Sequence, residues 1–335
     1  MKRHGNLFDK IVERVNLDLA YINARRNKSH QTQVQKVDEN KDELLNKLQD
    51  SLINNTFTTS EYRTRTIYEP KERLISILPF YPDRIVQHAI VNILSPIWDR
   101  LFIDDSYACR VGKGQHKASN RCMEFTTRYE YCLQFDISKF YPSINHTILK
   151  QIISNKIKDD RVMFLINDII DSTGTEIGLP IGNYLSQWFG NLYLNELDMY
   201  VKHVLHIGPY IRYCDDFLVF GNGNNKLNEL SLYIESFVNN ILQLRLSKNN
   251  LFHTYQGVDF LGYRHFHNGK ILVRKRTAKR IKHRMELIEK HLEQGTENIS
   301  RARGQVASAY GWIKHANSYN LQKSIKLNKL KETLS

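Results

Sequence analysis

The stretch IRYCDDFLVF, residues 211–220, places two adjacent acidic residues, Asp215 and Asp216, within an apolar run that is typical of a buried strand. Adjacent carboxylates repel each other and resist burial unless a cation or a set of hydrogen bonds compensates them. One explanation is a hairpin turn, because Asp tolerates turn conformations and bonds to its own backbone. The alternative is a bound cation, which calls for further acidic ligands.

A further acidic residue, Asp136, ends another predicted strand in the sequence YCLQFDI (131–137), and two helical patterns separate it from Asp215. If the two strands are neighbours in one sheet, three carboxylates meet at one edge. Oxygen ligands of this kind suit Mg²⁺, which binds one or two carboxylates together with substrate phosphates. Two such ions about 4 Å apart hold the attacking and leaving oxygens of a phosphoryl transfer. The pattern therefore favours a two-ion Mg²⁺ site at Asp136, Asp215 and Asp216.

The chain is basic, with 48 Lys and Arg against 35 Asp and Glu in 335 residues, a net charge of +13. Nucleic acid is the most common partner for such a charge. The segment from Lys270 to Arg284 holds eight Lys or Arg and no acidic residue, while Ile281, Met285, Ile288 and Leu292 recur at helical spacing. This predicts a helix with an apolar face and a basic face that contacts phosphates, the alternative being a solvated basic face.

Composition disfavours several other classes of protein. No window approaches the roughly 18 apolar residues of a membrane span, and the segment MKRHGNLFDKIVERV (1–15) lacks the apolar core of a signal peptide. We therefore expect a cytoplasmic protein without membrane attachment. The cysteines are never spaced as CxxC, so we predict reduced, mostly packed thiols rather than a zinc site or disulfides. They are Cys109, Cys122, Cys132 and Cys214.

Hydrophobic periodicity predicts the elements around these motifs. Residues 1–60 read as mostly helical, with a loop and a helix start in the tract 23–43. A hairpin is predicted in 65–80, a helix in 84–102 and a long buried helix from Asn183 to Leu205.

Together these motifs resemble those of reverse transcriptases. YCDD (213–216) matches the YxDD box of that family, and Asp136 with the aromatic pair Phe140 and Tyr141 matches its first catalytic strand. Further matches follow in the order of the family over about residues 60–330. They are PKERLISILPFYPDRIVQHAI (70–90), SYACRVGKGQHKA (106–118), LSKNN (246–250) and VDFLGYR (258–264).

The resemblance implies a role for each of several residues. The metal set is Asp136, Ile137, Asp215 and Asp216, of which the three Asp are catalytic. The set that binds the deoxynucleoside triphosphate is Lys71, Arg73, Tyr141, Ile181, Gly182 and Lys248. The set that contacts nucleic acid is Arg110, Lys113, Leu261, Gly262 and Tyr263, to which the basic helical pattern adds Arg276, Lys279 and Arg280.

Each role has a simpler alternative. Tyr141 resembles a steric gate against the 2′-hydroxyl of a ribonucleotide, but a core aromatic would fit the same position. Arg73 and its neighbour Lys71 would also serve as surface charges on a hairpin. Arg110, Lys113 and the nearby His116 would fit a solvated loop. Lys248 is expected to act as a general acid toward pyrophosphate, or only to cap a turn.

One segment departs from most reverse transcriptases. GLPIGNYLSQ (178–187) has Ile181 where they carry Gln and Gln187 where they carry Pro. The variant is similar to reverse transcriptases of diversity-generating retroelements, which copy a template RNA with errors opposite adenine and work with a small basic accessory protein, expected here to be oligomeric. Ile181 cannot hydrogen-bond near the nascent base pair as Gln could, so discrimination against incorrect pairs should be lower.

The expected fold is an α/β (α+β) right-hand polymerase with fingers, a palm built on a mixed or antiparallel sheet, and a helical thumb. We predict a helical arm or fingers extension at 1–60, fingers and palm at 61–273, and a basic thumb at 274–335. The expected function is RNA-directed DNA synthesis, with template RNA, primer, complementary DNA and deoxynucleotides as partners. A retron, a group II intron or an anti-phage system is the alternative setting, and a non-catalytic RNA-binding protein is a more distant one.

Overall fold

The computed structural model describes residues 3–68, 72–296 and 298–334. The chain begins with helices rather than strands, as predicted for the first sixty residues. They are α1 (Phe8–Val12), α2 (Arg14–Arg25), α3 (Thr32–Glu39) and α4 (Lys41–Ile53). The tract 23–43 therefore holds the whole of α3 in addition to the predicted loop and helix start. Apolar residues of these helices belong to the same buried cluster as the palm, so the arm is packed onto the rest of the protein.

The predicted hairpin is present as the antiparallel strands β1 (Arg63–Ile67) and β2 (Arg73–Ile77). Lys71 lies outside the described residues. A kinked turn, Phe80–Arg84, leads into α5 (Ile85–Asp99), which is buried along most of its length and confirms the helix predicted in 84–102. α6 (Gln115–Arg128) follows, with its buried face on Ala118, Cys122 and Phe125.

Strand β3 (Tyr131–Ile137) runs one residue beyond Asp136. Four α-helices, rather than the two predicted, connect it to the next strand. They are α7 (Phe140–Ser143), α8 (His146–Ser154), α9 (Asp160–Asp171) and α10 (Tyr184–Met199). α10 continues through the π-helical turn Tyr200–Val204, which confirms the long buried helix expected in this region.

The palm sheet is completed by three strands and an intervening helix: β4 (Tyr210–Tyr213), β5 (Asp216–Gly221), α11 (Asn224–Ser236) and β6 (Leu246–His253). The strand order is β4-β5-β3-β6, and every pair is antiparallel, so of the two expected arrangements the antiparallel one is found. Helices and loops cover both faces of the sheet. Leu133, Phe135 and Phe217 pack into the main core, whereas Cys132 and Leu218 pack on α6.

The C-terminal part consists of a small antiparallel sheet and four helices. The strands are β7 (Val258–Phe260), β8 (Tyr263–His265) and β9 (Ile271–Val273), and the helices are α12 (Lys275–Glu293), α13 (Ile299–Lys314), α14 (Tyr319–Ser324) and α15 (Leu327–Thr333). The helices bury a cluster of their own that includes Ile281, Met285 and Ile313. Among the residues that the structure describes, no helix combines the length and hydropathy needed to cross a bilayer.

Candidate active site

The acidic residues of the predicted site lie on adjacent strands at one end of the palm sheet. Asp136 on β3 is paired directly with Asp216 on β5 and, on its other side, with Lys248 on β6. Side chains alternate between the two faces of a strand, and directly opposed residues share a face. Asp136, Asp216 and Lys248 therefore point to one face, where the sheet ends.

Asp215 lies in the turn between β4 and β5. The turn has two residues, because Tyr213 pairs directly with Asp216, and Cys214 takes a left-handed conformation with φ 54°. Positive φ at the first turn position is required in the tight turns that match the twist of paired strands. The hairpin explanation is thus correct, and the turn brings a third carboxylate to the same end of the sheet.

The carboxyl group of Asp216 is strongly affected by its buried position. Burial raises its pKa from 3.8 to about 7, and the charges of Asp136 and Asp215 act in the same direction. Its Oδ1 atom is buried and has no hydrogen-bond partner. Buried polar oxygens in folded proteins are nearly always satisfied. An unsatisfied carboxylate oxygen beside two other carboxylates fits a cation-binding site, since Mg²⁺ prefers such oxygen ligands.

Asp136 is half-buried and is held by one neighbour. The hydroxyl of Ser247 donates to its Oδ2 at 2.6 Å. The β3–β6 register shifts between Asp136 and Ile137, and the Ile137 side chain is buried in the main core. Within the described ranges, no three His, Cys, Asp or Glu side chains are arranged to hold a metal by themselves. Any ion bound here would need ligands from its substrate as well, as Mg²⁺ does when it binds phosphates.

A buried ion pair that we did not predict from the sequence supports the Cys214–Asp215 turn. The guanidinium of Arg212 is fully buried against Asp198 of α10, with Nε to Oδ1 at 2.7 Å. Its Nη1 donates to the carbonyl of Cys214 at 3.2 Å, and the Tyr210 hydroxyl donates to Asp198 at 2.7 Å. The pair therefore anchors one end of the acidic turn. In the sequence, Arg212 and Asp198 are each only a charge within an apolar element. Nothing in the sequence indicates that the two residues pair.

Tyr141 lies on the short helix α7, close to the acidic end of the sheet. Its ring is half-buried, and burial raises the pKa of its hydroxyl. The ring packs beside Phe140, with centroids 5.1 Å apart. A Cβ atom added at Gly190 of α10 would lie 3.1 Å from a carbon of each ring. Because Gly190 has no side chain, α10 packs directly against the Tyr141 ring.

The Ile181–Gly182 segment joins the palm to the fingers hairpin. The Ser76 amide of β2 donates to the carbonyl of Ile181 at 2.7 Å. Gly182 has φ 124°, and a Cβ atom there would collide with the carbonyl oxygen of Ser76. The segment thus requires glycine for a close backbone approach. Ile181 is half-buried, and Arg73 is exposed at the start of β2, opposite Ile67.

Arg110 and Lys113 are engaged within the protein. The Arg110 side chain is only 8% exposed, and it bonds to Asp99 and to the carbonyls of Ile103 and Ser106. Lys113 bonds to the side chain and carbonyl of Asp104. These contacts place Arg110 and Lys113 in the internal scaffold of a loop, an arrangement that favours a structural role over phosphate contact.

Comparison with known proteins identifies the family. The model of the family "Reverse transcriptase (RNA-dependent DNA polymerase)" matches residues 65–265. The chain belongs to the reverse transcriptase family. It is 26% identical over 264 residues to Protein YkfC of Escherichia coli K12, covering 64% of this chain and 67% of YkfC. It is 23% identical over 296 residues to the group II intron-encoded protein LtrA of Lactococcus lactis subsp. cremoris, covering 66% of this chain and 49% of LtrA.

Solved telomerase structures share the fold of this reverse transcriptase chain. Apo telomerase from Candida tropicalis superposes with a TM-score of 0.53 at 12% identity, over 83% of this chain and 62% of that one. Telomerase from Candida albicans, in complex with a fragment of telomeric RNA, has the same TM-score at 10% identity, over 83% and 57%. The fold is therefore a right-hand polymerase fold, as predicted. The chain spans about half of LtrA and less than two thirds of either telomerase chain.

The VDFLGYR segment (258–264) of this reverse transcriptase chain lies between the palm sheet and the C-terminal helices. Leu261 and Gly262, with φ of 52° and 81°, form a two-residue turn between β7 and β8. A Cβ atom at Gly262 would lie 2.6 Å from the Trp312 ring of α13. Tyr263 is fully buried, and its hydroxyl donates to the Trp312 carbonyl at 3.1 Å. The turn is thus a joint between the small sheet and α13, at which Leu261 and Gly262 are half-buried and Tyr263 is fully buried.

His116 belongs to the same joint and not to a solvated loop. Its ring stacks on His315 with centroids 4.3 Å apart and lies 3.2 Å from the Tyr263 hydroxyl. Ser119 of α6 bonds to both His265 and His315, at 2.7 and 2.8 Å. Helix α6, the small sheet and α13 are therefore tied together by one polar network.

The basic helix predicted at the C-terminus is present as α12. Its buried residues include Ile281, Met285 and Ile288, as the spacing predicted. Arg276, Lys279 and Arg280 are exposed on the other side. Arg280 and Arg284 line a groove between α12 and α13 with Gln305 and Ser308. The described part of this helix therefore offers a basic surface next to the joint.

Proposed function

We propose that this chain synthesises DNA on an RNA template, joining deoxynucleotides to a primer 3′-hydroxyl. The observation that carries the proposal is the position of three carboxylates at one end of the palm sheet. Asp136 and Asp216 are directly opposed on β3 and β5, and Asp215 lies in the adjoining turn. A binding protein with this fold has no need to keep three mutually repelling carboxylates together, which argues against the non-catalytic alternative.

In this proposal the carboxylates would hold two Mg²⁺ ions. Asp136 and Asp215 would be the main ligands and Asp216 would support them, with Ile137 next to them at the end of β3. Bound Mg²⁺ would stabilise negative charge on the attacking and leaving oxygens of the α-phosphate. The raised pKa of Asp216 fits this role, because a nearby cation would return the carboxylate to its ionised form.

Other residues would position the nucleotide. The supported ring of Tyr141 would clash with a 2′-hydroxyl and so favour deoxynucleotides. Lys71 and Arg73 of the hairpin would bind the triphosphate, and the Ile181–Gly182 backbone would face the nascent pair. Lys248 pairs with Asp136 across β3–β6, within reach of the same edge, and would protonate the departing pyrophosphate.

The nucleic acid would lie against the joint and the basic helix. Leu261, Gly262 and Tyr263 would support the primer end, and Arg276, Lys279 and Arg280 would contact backbone phosphates. The regions 1–60, 61–273 and 274–335 would act as arm, fingers with palm, and thumb.

Primer extension tests this function directly. A DNA primer on an RNA template should be extended by the purified protein with deoxynucleotides and Mg²⁺. When one deoxynucleotide is omitted, extension should stop one position before the first template base that pairs with the omitted nucleotide. Extension that ignores the omitted nucleotide would show untemplated addition and would contradict the proposal.

The finer assignment that we propose is mutagenic copying of the kind performed by diversity-generating retroelements, with a small basic, oligomeric accessory protein as partner. It is supported by Ile181, whose hydrocarbon side chain replaces an amide that could hydrogen-bond beside the nascent pair. A site that hydrogen-bonds its correct substrate rejects a wrong one more strongly than a site that senses only a difference of one methyl group. Loss of such a hydrogen bond should therefore have a large effect on fidelity. Ile181→Gln should therefore lower the error frequency opposite adenine relative to wild type, measured by sequencing the complementary DNA from one RNA template.

Two results would contradict that assignment. Equal error frequencies in both proteins would remove Ile181 from the mechanism, and an accurate wild type would remove mutagenic copying itself. The second candidate is a polymerase that serves a group II intron, favoured by the match to an intron-encoded protein. A template repeat and a variable repeat that differ at adenines near the gene would favour the retroelement, and a surrounding intron would favour this alternative.

A further inference from the structure

Asn191 lies in the buried part of α10, next to the strand that leads into the acidic turn. Its side chain is 3% exposed, and both ends of its amide are hydrogen-bonded. Nδ2 donates to the carbonyl of Ala108 at 2.9 Å, and Oδ1 accepts from Nη1 of Arg212 at 3.2 Å. A carbonyl can only accept and a guanidinium can only donate, so these partners allow one orientation of the amide. Asn191 therefore joins α10 to two segments that are distant from it in the sequence.

The contact with Asn191 directs the Arg212 guanidinium toward the acidic turn. Nε and Nη2 of Arg212 bind the carboxylate of Asp198. The two hydrogens on Nη1 are left for the Oδ1 atom of Asn191 and the carbonyl of Cys214, both at 3.2 Å. Because a guanidinium is planar and its donors are fixed relative to one another, holding one Nη1 hydrogen sets the direction of the other. Asn191 therefore helps to keep Arg212 on the Cys214 carbonyl.

The loop before α6 is fastened at the same point. The amide of Arg212 donates to the carbonyl of Asp105 at 3.0 Å, and its carbonyl accepts from the amide of Tyr107 at 3.1 Å. The loop thus runs beside β4 in a short parallel pairing. Asn191 holds the end of this pairing through the Ala108 carbonyl. The loop, β4 and α10 therefore meet at Arg212, two residues before the turn.

The acidic turn needs support from its surroundings. Cys214 has φ 54°, and this left-handed conformation is unfavourable for a residue that carries a side chain. Asp215 and Asp216 are adjacent residues of like charge, so they also repel each other. Groups under such strain keep a single position only where the surrounding structure determines it. The Cys214 carbonyl is the point at which Arg212 imposes that position.

We propose that Asn191 is a positioning residue for the metal site at the end of the palm sheet. It holds Arg212 on the Cys214 carbonyl, and the turn then keeps Asp215 where it can share a cation with Asp136. Asn191 makes its own hydrogen bonds with Ala108 and Arg212, so its effect reaches the carboxylates only through the turn. The effect on rate rests on the proposed polymerase function, whereas the effect on metal binding rests only on the metal site.

Metal binding by Asn191→Ala tests the proposal without catalysis. The probe is Mn²⁺, which takes the same oxygen ligands as Mg²⁺ and whose free concentration is read by electron paramagnetic resonance. The Kd for Mn²⁺ should be several-fold higher in Asn191→Ala than in wild type. Asn195→Ala is the matched control, because Asn195 lies one turn further along α10, is 4% exposed and has an Oδ1 atom that finds no hydrogen-bond partner among the described residues. The control should bind Mn²⁺ as wild type does.

Single-turnover primer extension at saturating Mg²⁺ gives the effect on rate. Asn191→Ala should be about 10- to 100-fold slower than wild type, because a displacement of about 1 Å at a reacting centre has an effect of this size. Its affinity for primer and template should be unchanged, and Asn195→Ala should keep the wild-type rate. Asn191→Asp retains an oxygen that accepts from Arg212, so its rate should stay within several-fold of wild type.

The outcomes separate this proposal from the polymerase function. A wild type that binds Mn²⁺ without extending the primer would overturn the function, while the Mn²⁺ comparison would still decide the role of Asn191. Wild-type Mn²⁺ affinity and rate in Asn191→Ala, or equal losses in Asn191→Ala and Asn195→Ala, would overturn the proposal. If Asn191→Ala does not fold, Asn191→Asp decides it, and a rate as low as that of Asp215→Asn would overturn it. A wild type that binds no Mn²⁺ would overturn both.

Discussion

Replacing Asp216 by Asn should change how the stability of the metal-free protein depends on pH. Burial and the charges of Asp136 and Asp215 raise the pKa of Asp216 from 3.8 to about 7. The folded protein therefore keeps a proton that the unfolded chain has lost. Between about pH 4 and pH 7, stability falls as pH rises, because the folded state binds more protons than the unfolded state.

The size of the effect follows from the shift. One pKa unit corresponds to about 1.4 kcal/mol, so about three units give about 4 kcal/mol. Asn has a similar shape and cannot ionise, so its variant lacks this loss. The difference in free energy of unfolding between Asp216→Asn and wild type should thus grow by about 4 kcal/mol from pH 4 to pH 8.

Urea unfolding in EDTA across this pH range measures that difference. The exposed substitution Glu39→Gln is the control for a generic loss of negative charge and should run parallel to wild type. Adding Mg²⁺ at pH 8 should stabilise wild type more than Asp216→Asn, since a ligand that binds only the folded state stabilises it. The claim is that burial of the Asp216 carboxylate lowers stability at high pH. If the free energy of unfolding of Asp216→Asn and of wild type depends on pH in the same way in EDTA, that claim is refuted.

Two further predictions concern nucleotide selection and nucleic-acid binding. Gly190→Ala should push the Tyr141 ring out of place, because the added Cβ atom lies 3.1 Å from it, and the ratio of kcat/KM for deoxynucleotides over ribonucleotides should fall several-fold. Gly304→Ala, where nothing lies within 4 Å, is the matched control, and an unchanged ratio in both variants would remove the ring from selection. Converting Arg276, Lys279 and Arg280 to Ala should weaken RNA binding and lower its salt slope by about one unit per lost contact. An unchanged slope would leave these residues as a solvated surface.

The elements predicted correctly from the sequence depend on local periodicity. The stripe on α5, the long helix α10 and the two faces of α12 are set by residues three or four positions apart, which a sequence displays directly. The acidic turn was predictable for a related reason, since Asp215 and Asp216 interrupt an apolar strand. Its meaning became clear only with Asp136, which pairs with Asp216 across the sheet.

The features that escaped prediction depend on contacts between distant parts of the chain. Arg212 and Asp198 form a fully buried pair between a strand and a helix, and neither residue indicates the other in the sequence. Arg110 looked available for phosphate until its partners Asp99 and Ile103 were placed around it. His116 likewise finds its partner, His315, only when α13 packs on the palm. The sequence shows which residue types suit the chemistry. The fold determines which of those side chains are engaged within the protein and which remain accessible to substrate.

The central claim, that the carboxylates at the end of the palm sheet perform templated DNA synthesis, is tested most directly by Asp215→Asn. The measurement is the single-turnover rate of adding one deoxynucleotide to a DNA primer on an RNA template with Mg²⁺. Binding of the primer and template by the variant is checked separately. Removal of a metal ligand takes away several kcal/mol of transition-state stabilisation, so the rate should fall to background while binding is kept. A variant that binds and extends the primer at the wild-type rate would contradict the account.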